Sequence, residues 1–126
     1  MAKDNKNFEV SFPAGADLSA LQFRVIKLDS SKEIVIVTAI TDIPFGILQN
    51  KPDAQGKPAA IVPIGSGGIS KIVLGATLAT GVLVGTSTAG KAVADATTNF
   101  NLGILIDSGV LDDIGSVLLT SLTAKA

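Results

Sequence analysis

The chain has 126 residues, of which 47% are hydrophobic, and ten basic against eleven acidic side chains give it a net charge of −1. This length suits one domain that removes about two-thirds of its surface from water on folding, and the composition excludes intrinsic disorder. The near-zero charge argues against nucleic-acid and anionic-membrane binding. With no cysteine and no histidine, the chain lacks disulfides, thiolate and imidazole catalysis and the usual transition-metal ligands, so no cofactor is expected.

The first seven residues are polar where a secretory signal would have its apolar run, which predicts synthesis and retention in the cytoplasm. Residues 72–90 are uncharged but contain four glycines and four threonines. A membrane-spanning helix needs about 20 mainly apolar residues. This interval is therefore expected to form two strands with their turns.

Short β-branched runs bounded by Gly, Pro, Asn and Asp predict an all-β fold, a small barrel or sandwich of short antiparallel strands. The runs recur about every ten residues, a spacing typical of such folds. The predicted strands are 8–12, 21–28, 33–40, 45–49, 59–64, 69–74, 81–86, 91–95, 102–106 and 116–120.

Four polar or glycine-rich segments, residues 29–32, 52–56, 65–68 and 88–90, contain residues suited to tight turns, and each is expected to close a hairpin. An internal repeat appears at an offset of 57. It places Phe45-Gly-Ile-Leu48 on Leu102-Gly-Ile-Leu105 and Ile61-Val62 on Leu118-Leu119, and it matches the Lys32 turn with Gly90-Lys91. Two such units packed face to face would bury one shared core.

The most suggestive catalytic pattern is Asp107-Ser-Gly109 after an apolar strand, as in aspartic proteases, where two aspartates share a proton. Only 19 residues follow Asp107, and the repeat places Asn50 at the matching position in the first half. Asp107 is therefore expected to be a turn residue, and the protein is not expected to be an enzyme.

Three other patterns favour turns over ligand sites. Residues 85–91 have P-loop spacing but place Ala92 where Ser or Thr would hold magnesium. Residues 65–70 form a broken dinucleotide fingerprint followed by a strand pattern. Asp107, Asp112 and Asp113 lack the spacing of a calcium loop, so no metal site is expected.

Residues 1–12 are interpreted as an N-terminal arm and residues 13–126 as a single β domain. The arm alternates apolar and polar residues after a polar start, which suits strand addition to a neighbouring chain. The candidate partner-binding residues are Lys3, Lys6, Phe8, Val10 and Phe12.

Two segments combine short strands with small-residue spacers. In residues 8–28 a short strand is followed by Pro13-Ala-Gly-Ala16 and a Phe-Arg-Val-Ile strand. Residues 68–93 repeat glycine-punctuated strands through Leu78-Ala-Thr-Gly81 and Thr88-Ala-Gly-Lys91. Both segments resemble the capsid cement, or head-decoration, proteins of tailed bacteriophages. The Phe45-Gly-Ile-Leu48 and Leu102-Gly-Ile-Leu105 strands are similar to that family's apolar-Gly-apolar strands, and the family has no catalytic residues to carry over.

The resemblance implies a structural protein that is made in the host cytoplasm and binds the outer surface of an assembled phage head. It implies that the partners are the major capsid protein and further copies of the chain, as a homotrimer in preference to a homodimer, with no nucleic acid or membrane. The alternatives are another virion β module, such as a head-fibre base or tail-associated protein, and a small aspartic hydrolase that uses Asp107.

Overall fold

The computed structural model describes residues 9–94 and 100–124. Within these residues the chain forms ten β-strands and no helix, which confirms the predicted all-β fold. The strands are β1 (Val10–Pro13), β2 (Val25–Leu28), β3 (Ile34–Ile36), β4 (Gly46–Leu48), β5 (Pro58–Pro63), β6 (Ile69–Val73), β7 (Leu83–Thr86), β8 (Ala92–Ala94), β9 (Phe100–Asp107) and β10 (Ile114–Ala124).

Each of the ten predicted runs overlaps one observed strand, although several strands are shorter than predicted and β9 and β10 are longer. The run 21–28 contributes only its last four residues to β2. The residues before them form a turn, in which the amide of Arg24 donates to the carbonyl of Leu21 and Phe23 adopts a left-handed φ of 65°. The backbone conformation of these residues therefore excludes them from the strand, although their side chains are typical of one.

The strands form two five-stranded antiparallel sheets with the same topology. The first sheet has the order β1-β5-β4-β2-β3 and the second has the order β6-β10-β9-β7-β8. Adding five to each strand number of the first sheet reproduces the order of the second. The predicted internal repeat is thus present as two copies of one five-stranded unit, the first half (β1–β5) and the second half (β6–β10).

Strand register fixes which residues are equivalent between the halves. Val25 pairs with Ile47 in the first sheet as Leu83 pairs with Ile104 in the second. Across the next strand, Ile47 pairs with Val62 as Ile104 pairs with Leu118. The expected match of Val62 with Leu119 is wrong by one residue, because the chain from Ile104 to Leu118 is one residue shorter than the chain from Ile47 to Val62.

The hairpin turns of the two halves are built alike. In the β2–β3 turn the Asp29 carboxylate accepts hydrogen bonds from the backbone amides of Ser31 and Glu33, both at 2.9 Å. In the β7–β8 turn the Ser87 hydroxyl oxygen accepts from the amides of Ala89 and Lys91, both at 3.2 Å. Such local side-chain bonds stabilise tight turns.

Among residues 9–94 and 100–124, one parallel bridge joins the edges of each sheet. Ala14, which follows β1, bridges to Ile34 in β3, and Leu74, which follows β6, bridges to Ala92 in β8. These bridges link the two edge strands of a sheet, so each half curls towards a small closed barrel.

The hydrophobic core has two parts. One cluster lies within the first half and consists of Ala14, Leu18, Ile26, Ile34, Leu48, Ala59 and Ile61. The larger cluster combines Val25, Val37, Ile47 and Val62 of the first half with nine buried residues of the second half, including Leu102 and Leu119. The expected shared core is therefore present, together with a separate core inside the first half.

Three of the four predicted turns close hairpins, and residues 65–68 do not. This segment connects β5 of the first sheet with β6 of the second, and Gly65 and Gly67 have positive φ angles of 84° and 79°. Glycine adopts such angles without steric cost. The segment is the connection between the two halves.

Residues 72–90 contain the end of β6, all of β7 and their turns, as expected. No helix within the described ranges has the length and apolar character needed to cross a membrane.

Candidate interaction surface

The predicted partner-binding residues fall into two groups. Lys3, Lys6 and Phe8 lie outside the described residues. Val10 and Phe12 lie in β1, where they pair with β5 of the same chain. Their part in partner binding remains a prediction, and β1 is an edge strand in the order of the first sheet.

Phe12 also contributes to the packing of the first half. Its ring contacts that of Phe45 in an edge-to-face arrangement, with 5.5 Å between the ring centroids. An open cavity of about 260 Å³ adjoins it, lined by Ser11, Phe12, Pro13, Gly56 and Pro58. None of these lining residues is charged.

The aspartic-protease pattern does not assemble a pair of aspartates. Asp107 lies at the end of β9 opposite Ser116 of β10. Asn50 holds the equivalent place in the first half, where its side chain accepts from the amide of Ala60 and donates to the carbonyl of Pro58. Since proton sharing needs two carboxyl groups, Asp107 and Asn50 cannot form such a dyad within one chain.

The three acidic residues considered for calcium also have other roles. Asp112 forms an ion pair with Lys91, with 2.6 Å between Oδ1 and Nζ, and Asp113 accepts a hydrogen bond from the amide of Val110 at 3.0 Å. Among residues 9–94 and 100–124, no three acidic side chains converge in a way that could hold a metal ion. The P-loop-like segment that contains Lys91 is the β7–β8 hairpin.

The structure exposes apolar side chains mainly in the second half, a feature that the sequence analysis missed. Of the seven large apolar side chains exposed in the described part of the chain, only Leu28 and Ile43 belong to the first half. The others are Leu83, Ile104, Val110, Leu111 and Ile114. The repeat could have indicated part of this surface, since the offset of 57 matches Val110 and Leu111 with Asp53 and Ala54.

Two of these exposed residues, Leu83 and Ile104, are neighbours of Leu118 on the outer face of the second sheet. Leu83 is paired with Ile104, which is paired with Leu118 in the next strand. We call these three residues the outer row. Leu83 is 44% exposed and Ile104 is 37% exposed, and Leu118 is half-buried.

The outer row lies on a sheet with little charge. Strands β7 and β10 contain no charged residue, and β9 contains only Asp107, at its end. An exposed, contiguous and uncharged apolar row on a small protein is typical of a protein–protein contact.

No family model matches this sequence, and no curated protein matches it. Among solved structures, the fold is similar to that of the N base of the head fibre gp8.5 of bacteriophage phi29. The TM-score is 0.69 at 18% sequence identity, and the similarity covers 94% of this chain and 98% of the other. The protein thus has the fold of a phage head-fibre base over almost its whole length.

Proposed function

We propose that the protein is a structural component of a bacteriophage virion, attached to the outer surface of the head as a fibre-base type of β module. The observation that supports this most strongly is the shared fold, which covers both chains almost completely. Fold similarity alone does not imply function. Here the exposed apolar surface and the lack of histidine and cysteine favour a binding protein independently.

We favour the role of a head-fibre base over that of a cement protein. A cement protein bridges neighbouring capsid subunits, whereas a fibre base attaches to the head and supports a projecting part. A solved structure that shares the fold is named as a fibre base, and this name supports attachment to the head as the proposed function. The proposed partners are the major capsid protein and further copies of the chain, as a homotrimer.

We also propose that the protein is not an enzyme. The sequence has no imidazole or thiol, and Asp107 has Asn50 as its equivalent in the first half. Attachment in many copies to a repetitive shell needs no chemical step, because weak contacts give strong binding through multivalency.

The test uses phage heads that lack the protein. Purified protein is added, the heads are sedimented, and the bound protein is quantified and located by electron microscopy. Binding at regular sites on the outer surface is expected. Absence of the added protein from the sedimented heads would refute the proposal.

The temperature of DNA release from the same heads separates the two structural roles. A bound protein stabilises the shell only to the extent that its binding sites are lost when the shell opens. A cement protein, whose contacts bridge neighbouring subunits, should therefore raise this temperature, whereas a fibre base held by one subunit should leave it nearly unchanged. Asp107→Asn protein should bind as well as wild type. A loss of binding in that variant would assign Asp107 a role that the structure does not explain.

A further inference from the structure

Equivalent positions in the two halves have different surroundings. Val25, Ile47 and Val62 hold the places in the first sheet that the outer row holds in the second. All three are fully buried, in the core cluster that contains Leu102 and Leu119 of the second half. The same row is therefore covered by another five-stranded unit in one half and exposed in the other.

The contact between the halves joins two different surfaces. The first half contributes the row that contains Val25. In the second half, Leu102 and Leu119 belong to the same core cluster as this row and Ser70 bonds to Gln49, and we call these three residues the receiving surface. The amide of Val25 donates to the carbonyl of Gly90 at 2.7 Å, and the Gln49 side chain donates to the Ser70 hydroxyl at 2.9 Å. A contact between two different surfaces is heterologous, so it leaves one copy of each surface unused.

The unused receiving surface lies on the first half. Register places Val10 at the position of Ser70 and Pro63 at the position of Leu119, and Phe45 corresponds to Leu102. All three side chains are apolar and half-buried. One chain thus has both an exposed outer row and an apolar surface that corresponds to the one that covers such a row.

From this we infer that the outer row of one copy packs on the receiving surface of a second copy, which consists of Val10, Phe45 and Pro63. This inference names the surfaces through which copies of the proposed virion protein meet. Only the number of copies, three, rests on the proposed function, and a heterologous contact can close into a ring of three. The outer row has no charged neighbour in β7 or β10, so identical chains can meet there without like-charge repulsion.

The contact between copies differs from the contact within the chain at two positions. Pro13 is the equivalent of Val73, whose amide donates to the carbonyl of Phe23 at 2.9 Å. Proline has no amide hydrogen, so this bond is absent between copies. Lys32 is the equivalent of Gly90, and a Cβ at Gly90 would lie 2.7 Å from the carbonyl oxygen of Val25. The Lys32 turn must therefore shift, and the contact between copies should be weaker than the one within the chain.

The first test measures the oligomeric state by sedimentation velocity over a range of protein concentrations. Wild-type protein should associate, Ile104→Asp should be monomeric, and Leu28→Asp should behave like wild type. Leu28 is a matched control, since it is 37% exposed, as Ile104 is, but lies outside the row. Circular dichroism checks that each variant is folded. A monomeric wild-type protein, or an associating Ile104→Asp variant that is folded, would overturn the inference.

The second test identifies which surfaces meet. The chain has no cysteine, so an introduced cysteine is the only thiol. Leu83→Cys and Lys32→Cys proteins are mixed and oxidised, because the within-chain equivalents Val25 and Gly90 are in direct backbone contact. A disulfide should form between the two variants, and neither alone should cross-link efficiently. Cross-linking of Leu83→Cys with itself would show that the row packs on its own copy and would refute the receiving surface.

Head binding distinguishes failure of this inference from failure of the proposed function. Association through the row without binding to heads leaves the inference standing and refutes the function. If wild-type protein is monomeric and still binds to heads, the inference is refuted and the proposed function stands. If Ile104→Asp then abolishes that binding, the row contacts the capsid and the second copy is excluded as its occupant.

Discussion

Two glycines at equivalent positions allow the strands to approach each other more closely than a side chain would permit. A Cβ at Gly103 would lie 1.9 Å from the carbonyl oxygen of Leu118, and one at Gly46 would lie 2.5 Å from that of Val62. Gly103 also has a φ of 156°. We expect Gly103→Ala to lower the free energy of unfolding by about 3 kcal/mol or more, because the backbone itself must move.

Gly56→Ala is the control for this substitution in urea denaturation. Gly56 has a φ of 87°, and nothing lies within 4 Å of an added Cβ. It should therefore show only the cost of a left-handed alanine, about 1 kcal/mol. Equal losses in the two variants would contradict the steric argument at Gly103.

Asp42 gives the fold a predictable dependence on pH. Its carboxylate lies 2.9 Å from the Lys27 ammonium and accepts hydrogen bonds from the amides of Thr38 and Ala39. The bond from Lys27, followed by that from Thr38, holds the pKa of Asp42 below its ordinary value of 3.8. A carboxyl group with a lowered pKa stabilises the fold above its unfolded pKa, and this contribution is lost as the pH falls through the folded pKa.

Asp42→Asn should therefore reduce the free energy of unfolding by about 0.5–1 kcal/mol at neutral pH, a value that allows for solvent screening of a surface pair. The difference from wild type should shrink as the pH is lowered from about 5 to about 2. Asp53→Asn is a control, because the Asp53–Lys57 pair is well exposed and 3.9 Å long. A difference that stays constant with pH would exclude an ionic role for Asp42.

At the scale of elements, the two hairpin turns use different residues for one task. Asp29 and Ser87 each accept two backbone amide hydrogen bonds from the residues two and four positions later. Asp29→Ala should lower the free energy of unfolding by about 1 kcal/mol. Asp29→Ser should lower it much less, because Ser87 accepts the equivalent hydrogen bonds in the second half. Thermal unfolding of the two variants measures the difference, and a serine variant as unstable as the alanine variant would contradict the equivalence of the turns.

The positions of the strands could be predicted from the sequence, but the way the sheets connect and pack could not. The β-branched runs predicted the position of every strand, because strand propensity and turn residues are local properties. The Gly65–Gly68 segment was wrongly expected to close a hairpin, since a tight turn and a crossing between sheets use the same residue types. The exposure of Leu83 and Ile104 was missed because burial depends on which sheet packs against which. Their equivalents, Val25 and Ile47, have the same apolar character and are buried.

For the whole molecule, the repeat provides a comparison of one position in two environments. Ile47 is completely buried between the halves, and Ile104, its equivalent, is 37% exposed on the outer face. Ile47→Ala should lower the free energy of unfolding by about 2–5 kcal/mol, the range for buried aliphatic truncations. Ile104→Ala should cost less than about 1 kcal/mol in dilute protein, because little apolar surface is removed from water there.

The Ile47→Ala and Ile104→Ala variants should also differ in how their unfolding temperatures depend on protein concentration. If the outer row is covered by a second copy, association stabilises the wild-type fold by mass action, and its unfolding temperature should rise with concentration. Ile104→Ala should lose this dependence while Ile47→Ala keeps it, since only Ile104 lies on the surface between copies. Calorimetry over a hundredfold range of concentration measures both effects. If wild type and Ile104→Ala shift equally with concentration, the copies associate through some other surface.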